Sequence, residues 1–501
     1  MTATAAAAAK PGAPVDPEPP RRRATVKDWI NRSLLVLIAI LVVVAAFVLP
    51  RIYDAKYQVR DRGVGAAQPA PVLSPDQEAL YVDKTVTSAA HPGAVVEGKD
   101  GYYFLGDTQN ANFSQAVGRR AYSPAEVDQE AGALRAQQVY LASQGIPLAF
   151  VVAPAKWEIY PDKLPAWTDG LPMTHIFDQL RKAYPDLPLV DVRQDLRDAR
   201  KTADTYSPMN SHWTDYGAAV AFEGIAAWLE KHAQSIGAVP VPKVDGVQTK
   251  PDYNNELDPL YGIKGTNPWT VPQYSAPLPG YQLTLAGGQP AQVPGGTAID
   301  ASTMPAETSN PAAPNKKRVL VLADSTTTAL SPLLAATFAE TKMVRHYLDA
   351  PGLAPSVPQL VADFKPDLVL YSMTERHFNQ PLADGPVWDG ANRFTASKDT
   401  VASWPQADPD ACSGPANLSQ PLTCRVDAGT AVALKVTATS DKPADVQLTA
   451  GDHKVALHLG SGPSTTYAVL PSQIAKNDIV MTAITAGASA NITGVEIRAV
   501  T

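Results

Sequence analysis

Cysteine is nearly missing from this sequence: only Cys412 and Cys424 occur in 501 residues. No metal-ligand spacing accompanies them, so no metal site is expected. Positive charge is not in excess either. The 42 Lys and Arg stand against 49 Asp and Glu, a net charge of −7. The electrostatic footprint of a nucleic-acid binder is lacking, and that class is excluded. Charged residues make up only 18% of the chain while hydrophobic ones reach 45%, which excludes a wholly disordered protein.

The length suits two or three folded units. The first twenty residues are rich in Ala and Pro and offer nothing to build a core from. Arg21, Arg22, Arg23, Lys27 and Arg32 then precede an uncharged run, Ser33 to Pro50, flanked by Trp29, Ile30, Ile52 and Tyr53. We read 1–32 as a disordered basic cytoplasmic tail and 33–53 as a transmembrane signal anchor. A cleaved signal peptide ending near Val44-Ala45-Ala46 is the alternative. Either reading exports the rest of the chain, so the expected location is the cell membrane with the large C-terminal part extracytoplasmic. An oxidising compartment makes a Cys412–Cys424 disulfide the default.

Residues 54–92 read as a polar, Ala/Pro-rich stalk. Beyond them, VVEGKDGYYFLG carries a hairpin signal at Asp100-Gly101. Ser123-Pro124-Ala125-Glu126 is a capping box that opens a helix, with Val127, Leu134 and Leu141 on one face. Apolar strands without polar alternation (IPLAFVVAP, LPLVDVR, RVLVLAD, PDLVLYSM) then alternate with helices, among them TDYGAAVAFEGIAAWLEKHA and one containing LLAATFAE. This pattern predicts an α/β fold with a mostly parallel, flavodoxin-like sheet covered by helices over 93–389. Residues 240–315, Pro/Gly/Ala-rich with little periodicity, read as an irregular insertion. From 390 to 501, short alternating β-branched segments predict an all-β sandwich, with Trp388 and Trp404 at its edge.

Ligands of open α/β sheets sit at the carboxyl ends of the strands. RVLVLAD delivers Asp324-Ser325 there, just ahead of a helix whose first N–H groups suit an oxyanion. Simple helix capping by the same two residues is the competing reading. His212, two residues before the candidate N-cap Thr214, suits a general base or a buried structural histidine. Glu375 and Arg376, beyond PDLVLYSM, read as an ion pair supporting a site or as solvated charge.

Taken together, GKDGYYFLG, VVAPAKWEIYPDKLP, NSHWTDYGAAVAF, VLADSTTTALSPLLAATF and LVLYSMTERHF resemble the successive motifs of the alginate O-acetyltransferase (AlgX/AlgJ) family, exported SGNH hydrolase-like proteins. The resemblance covers roughly residues 95–380. It implies Ser325 as nucleophile and His212 as base, with no soluble cofactor. It also implies a membrane-bound O-acyltransferase as acyl donor, a polysaccharide acceptor and a carbohydrate-binding role for 390–501. The family's Asp-x-His-Trp reads Asn210-Ser211-His212-Trp213 here. A triad aspartate fixes the histidine tautomer and stabilises the imidazolium; Asn210 can accept the ring N–H but brings no charge. Either turnover is slower, or Asp204 or Asp215 substitutes, or activity is lost. On this reading Asn210→Asp raises turnover. The function expected is an exported O-acetyltransferase using an acyl-serine. The alternatives are an inactive polysaccharide-binding scaffold and an exported acetylesterase.

Overall fold

Asp100 and Gly101, with φ of 55° and 75°, supply the left-handed turn that folds β1 (Val95–Glu97) back on β2 (Tyr103–Leu105). The computed structural model describes residues 94–500. Residues 172, 347–356, 380–384, 406, 427, 429, 443, 452, 460–461, 471–477, 484 and 486–488 are outside it, as are the side chains of 385–389, 453, 456 and 458. The tail, anchor and stalk read at 1–92 lie outside the described residues. Among the described residues, no helix is long and apolar enough to cross a membrane.

The capping box forms as read. Ser123 Oγ accepts the Glu126 N–H, Glu126 accepts the Ser123 N–H, and Pro124 opens α1 (Pro124–Ala142). The chain continues through β3 (Leu148–Ala153), α2 (Ile176–Ala183), β4 (Leu189–Asp191), α3 (Arg193–Ala199) and α4 (Asp215–His232). Residues 240–315 depart from the irregular insertion expected. They form β5 (Val244–Lys250), α5 (Leu257–Tyr261), β6 (Trp269–Tyr274), β7 (Tyr281–Leu285), β8 (Ala291–Val293) and β9 (Ala306–Ser309). Next come β10 (Asn315–Ala323), α6 (Thr327–Thr337), β11 (Phe338–Arg345), α7 (Val357–Phe364), β12 (Leu368–Thr374) and α8 (Gly385–Ala396). The helix read through LLAATFAE stops at Thr337, and its last residues open β11 instead.

The main sheet runs β4-β3-β12-β10-β11-β9-β7-β8. Its first four pairings are parallel, and β11-β9, β9-β7 and β7-β8 are antiparallel. The sheet is therefore mixed: a parallel half carries the candidate site and an antiparallel extension comes from the insertion. Strand period two sorts the core. Ala149, Val151, Val319, Val321 and Leu370 pack on α4 and α6, whereas Leu148, Phe150, Leu320, Leu322 and Tyr371 pack on α1, α2 and α7. Each Val, Leu or Phe side chain among them contributes about 1.5–3 kcal/mol when fully buried. Both faces being covered explains why these strands read as continuous apolar runs.

At the start of α4, Thr214 Oγ1 accepts the Gly217 N–H. A Cβ on Gly217 would lie 2.3 Å from the Thr205 carbonyl oxygen, a backbone atom that cannot swing aside. Gly217→Ala should therefore push α4 off the 205 backbone and cost about 1–3 kcal/mol, the range for overpacking. Urea denaturation checks this, and an unchanged midpoint would refute it.

The C-terminal strands are β13 (Thr400–Trp404), β14 (Cys412–Ser413), β15 (Leu422–Cys424), β16 (Val432–Ser440), β17 (Ala444–Ala450), β18 (His453–Leu459), β19 (Gly462–Leu470), β20 (Ile479–Ala483) and β21 (Ala490–Ala499). They form two antiparallel sheets, β13-β21-β16-β19 and β14-β15-β20-β17-β18, around one apolar core. β17 alternates strictly between buried and half-buried residues. Cys412 and Cys424 face each other across β14 and β15 and are disulfide-bonded. Trp404 packs half-buried against this core; the Trp388 side chain is outside the described set. Arg498, 4.0 Å over the Phe394 ring, donates to the Phe394 and Ser397 carbonyls and fastens β21 to α8.

Candidate active site

Parallel pairing of β3, β12 and β10 brings their carboxyl ends to one edge. β10 ends at Ala323, and Asp324-Ser325 follow immediately before α6. His212 arrives on the loop ahead of α4, 113 residues away in sequence, and its Nε2 lies 2.8 Å from Ser325 Oγ. Both residues are half-buried. Trp213, fully buried, donates its indole N–H to the Thr326 carbonyl at 2.9 Å and locks the two segments together.

The other face of the imidazole is also engaged. Asn210 Oδ1 lies 2.9 Å from His212 Nδ1 and accepts the His212 backbone N–H at the same distance. The Asn210 amide donates to the Asn254 carbonyl at 2.8 Å, which fixes its oxygen toward the histidine. Nδ1 therefore carries the hydrogen, and Nε2 is left to accept the Ser325 proton. A second acceptor lies on that side. Glu256 Oε2 is 3.3 Å from Nδ1, and the carboxylate accepts the Ser211 N–H at 2.7 Å and its hydroxyl at 2.8 Å.

Lys156 supports the histidine loop from beneath. Its buried ammonium donates to the carbonyls of Ser207, Pro208 and Asn210 at 3.1, 2.8 and 2.9 Å. Three acceptors require all three hydrogens of the charged form. Burial nevertheless pulls this ammonium down to about 7, against the attraction of Glu256.

A serine hydroxyl at a strand's carboxyl end, an imidazole nitrogen within hydrogen-bond distance of it and a partner fixing the ring form an arrangement suited to serine acyl transfer. The model of the family described as SGNH hydrolase-like domain, acetyltransferase AlgX, matches residues 95–292. This stretch matches an AlgX-type SGNH domain. The match takes in the His212 motif and Glu256 and ends before Ser325. Among solved structures, Pseudomonas aeruginosa AlgX is 14% identical with a TM-score of 0.49, covering 86% of this chain and 100% of its own. Bacillus cereus PatB1 is 18% identical, with a TM-score of 0.42 over 56% of this chain and 95% of that one. The O-acetyltransferase domain of Pseudomonas putida AlgJ is 17% identical, with a TM-score of 0.34 over 57% and 92%. No curated protein gives a match.

Beside the Ser325–His212 pair, Asp324 is 0% exposed and saturated with donors. Oδ1 accepts the Thr326 N–H and hydroxyl, and Oδ2 accepts the Thr374 N–H and hydroxyl at 2.7 and 2.6 Å. Burial alone would raise its carboxyl. His346 and His377, whose Nε2 atoms lie 3.9 and 3.6 Å from Oδ2, hold it well below the usual carboxylate range, aided by Arg376. Asp324, His346 and His377 are close enough to share a metal ion, as are Glu158, His175 and Asp178. Protein donors already satisfy both carboxylate sets: the Thr pair at Asp324, and Arg193 with Arg197 at Glu158.

Two supporting assignments need correction. Glu375 makes no ion pair with Arg376: it is buried, accepts the Ala155 N–H at 3.0 Å, and burial followed by Glu158 pushes its carboxyl well up. Arg376 instead lines a small cleft with Trp157, Ser211 and Thr374. Neither Asp204 nor Asp215 reaches His212. Asp204 accepts the Tyr102 and Tyr160 hydroxyls, and Asp215 sits beside Trp269 and Lys250. Glu256 was missed because its stretch gives no periodic signal. The available clue was Asn255, whose side chain caps the Leu257 and Asp258 N–H groups, an Asx start to a helix turn.

Proposed function

We propose that this protein is an exported, membrane-anchored O-acetyltransferase that carries an acetyl group on Ser325 to a hydroxyl of a cell-envelope or secreted polysaccharide. The 2.8 Å contact between Ser325 Oγ and His212 Nε2 is the observation that carries the reading. Ser325 Oγ attacks the acetyl carbonyl of the donor while its proton passes to Nε2. The tetrahedral adduct then expels the donor's leaving group, which takes that proton and leaves acetyl-Ser325. An acceptor hydroxyl repeats the sequence in reverse, giving its proton to His212 as it attacks, and Ser325 recovers a proton as it departs. The Ser325 backbone N–H at the head of α6 is suited to the oxyanion.

Acetyl-CoA is cytoplasmic, so an exported centre needs a membrane-bound O-acyltransferase to deliver the acyl group. The one-sided cations Arg21, Arg22, Arg23, Lys27 and Arg32 support the export topology. By the resemblance noted above, residues 390–501 hold the glycan. Transfer is tested by incubating the full-length protein with a small acetyl ester and envelope oligosaccharides. Acetylated oligosaccharide should appear by mass spectrometry, and its yield should rise with acceptor concentration. Release of free acetate alone, with no acetylated sugar at any acceptor concentration, would make the protein an esterase.

A further inference from the structure

We propose that Glu256 supplies the negative charge that Asn210 cannot, acting through His212 as a positioning residue; this rests on the Ser325–His212 reading above. Asn210 already provides geometry. Its oxygen, oriented by the Asn254 carbonyl, holds the Nδ1 hydrogen at 2.9 Å. A neutral amide gives little to an imidazolium, however, and the charge of a triad acid is what stabilises that state. The Glu256 carboxylate stands 3.3 Å from the same nitrogen.

Glu256 is held there by the protein. Ser211, the residue between Asn210 and His212, clamps it with its N–H at 2.7 Å and its hydroxyl at 2.8 and 3.1 Å. Leu257, the next residue, is buried in the small core formed with Ala94, Val95, Leu105 and Met209. The segment that supplies the carboxylate is thus anchored against the β1–β2 hairpin. Burial alone would raise the Glu256 carboxyl, but His212 and the two Ser211 donors bring it down to about 2. A depressed carboxyl keeps its charge until the pH falls through that value, so Glu256 is ionised wherever His212 can act as a base. Among the described residues no other carboxylate contacts His212. Asp300 feels its charge without touching it, and Glu256 and the Lys156 ammonium attract each other.

With Glu256 beside Nδ1, the result expected for Asn210→Asp changes. A second carboxylate beside Glu256 adds like-charge repulsion where one anion already serves, so the single substitution should give no rise.

The test follows covalent labelling of Ser325 in the full-length protein by phenylmethanesulfonyl fluoride, read by intact mass across a pH series. In this probe the serine oxygen bonds to sulfur, fluoride leaves, and His212 takes the proton. The reading therefore needs neither natural donor nor acceptor. Replacing a triad aspartate by its amide costs about 10⁴ in rate. Asn210 still holds the tautomer here, so Glu256→Gln should slow labelling by roughly 10²-fold. Its acid limb should move to lower pH, because the imidazolium loses its anion. Adding Asn210→Asp to Glu256→Gln should recover at least about tenfold, by restoring a carboxylate at Nδ1. Labelling of Glu256→Gln at the wild-type rate would overturn the proposal. So would a slow variant whose acid limb stays in place and which Asn210→Asp does not recover, since that marks a purely structural role. If wild type is not labelled at Ser325 at all, the Ser325–His212 reading itself fails.

Discussion

Ser325→Ala should lower turnover of a small acetyl ester by roughly 10⁴-fold or more, the scale on which loss of a serine nucleophile is felt in such centres. The substitution removes only the oxygen that contacts His212 Nε2. Ser325 sits half-buried between the end of β10 and α6, and alanine keeps its Cβ. The fold should therefore persist, with a denaturation midpoint near wild type. Turnover and stability measured on the same preparation separate the two effects. An unchanged rate in a folded variant would place the nucleophile elsewhere.

The second large effect is one of stability. Asp324→Ala should cost about 3–5 kcal/mol, the usual consequence of removing one partner from a buried ionic cluster. The carboxylate joins the end of β10 to the end of β12 through Thr326 and Thr374, and its loss leaves His346 and His377 facing an emptied site. Its carboxyl is held low in the folded state. The stabilisation it gives is therefore present above the ordinary carboxylate range and is lost only as the pH falls through the depressed value. Chemical denaturation at neutral pH measures the difference. A loss below about 1 kcal/mol would mean that the cluster contributes little net stability.

These two adjacent residues were legible because their signals are local. A continuous apolar strand ending in Asp-Ser ahead of a helix places both at a sheet's carboxyl edge, whatever the rest of the chain does. Ser123 and Thr214 likewise announced the starts of α1 and α4 through hydrogen bonds made within three residues. The sheet's antiparallel extension was hidden for the opposite reason. β7, β8 and β9 are three to five residues long, lie among Pro and Gly, and have mostly half-buried or exposed residues in β7 and β8, so neither a long apolar run nor clean alternation develops. β11 was absorbed into the preceding helix because Phe338 follows Thr337 with no breaker between them.

Site electrostatics were less legible than site position. Adjacent Glu375 and Arg376 suggested a pair, yet the Glu375 side chain turns to the Ala155 N–H while Arg376 lines the cleft. The charge missing at Asn210 is replaced from 46 residues further on, in a segment whose composition suggested only loop. Such a substitution becomes visible once the backbone brings Glu256 beside Ser211 and His212.

Acyl transfer by the proposed route requires Ser325 to carry the acetyl group. The full-length protein should be mixed with an acetyl ester, quenched in acid within the first turnovers, digested and mapped by mass spectrometry. The peptide containing Ser325 should become heavier by one acetyl group, the adduct should be lost on adding acceptor oligosaccharide, and it should be missing from Ser325→Ala. Ester consumption with no acetyl group on Ser325, or with the acetyl group on another residue and undiminished in Ser325→Ala, would contradict that route.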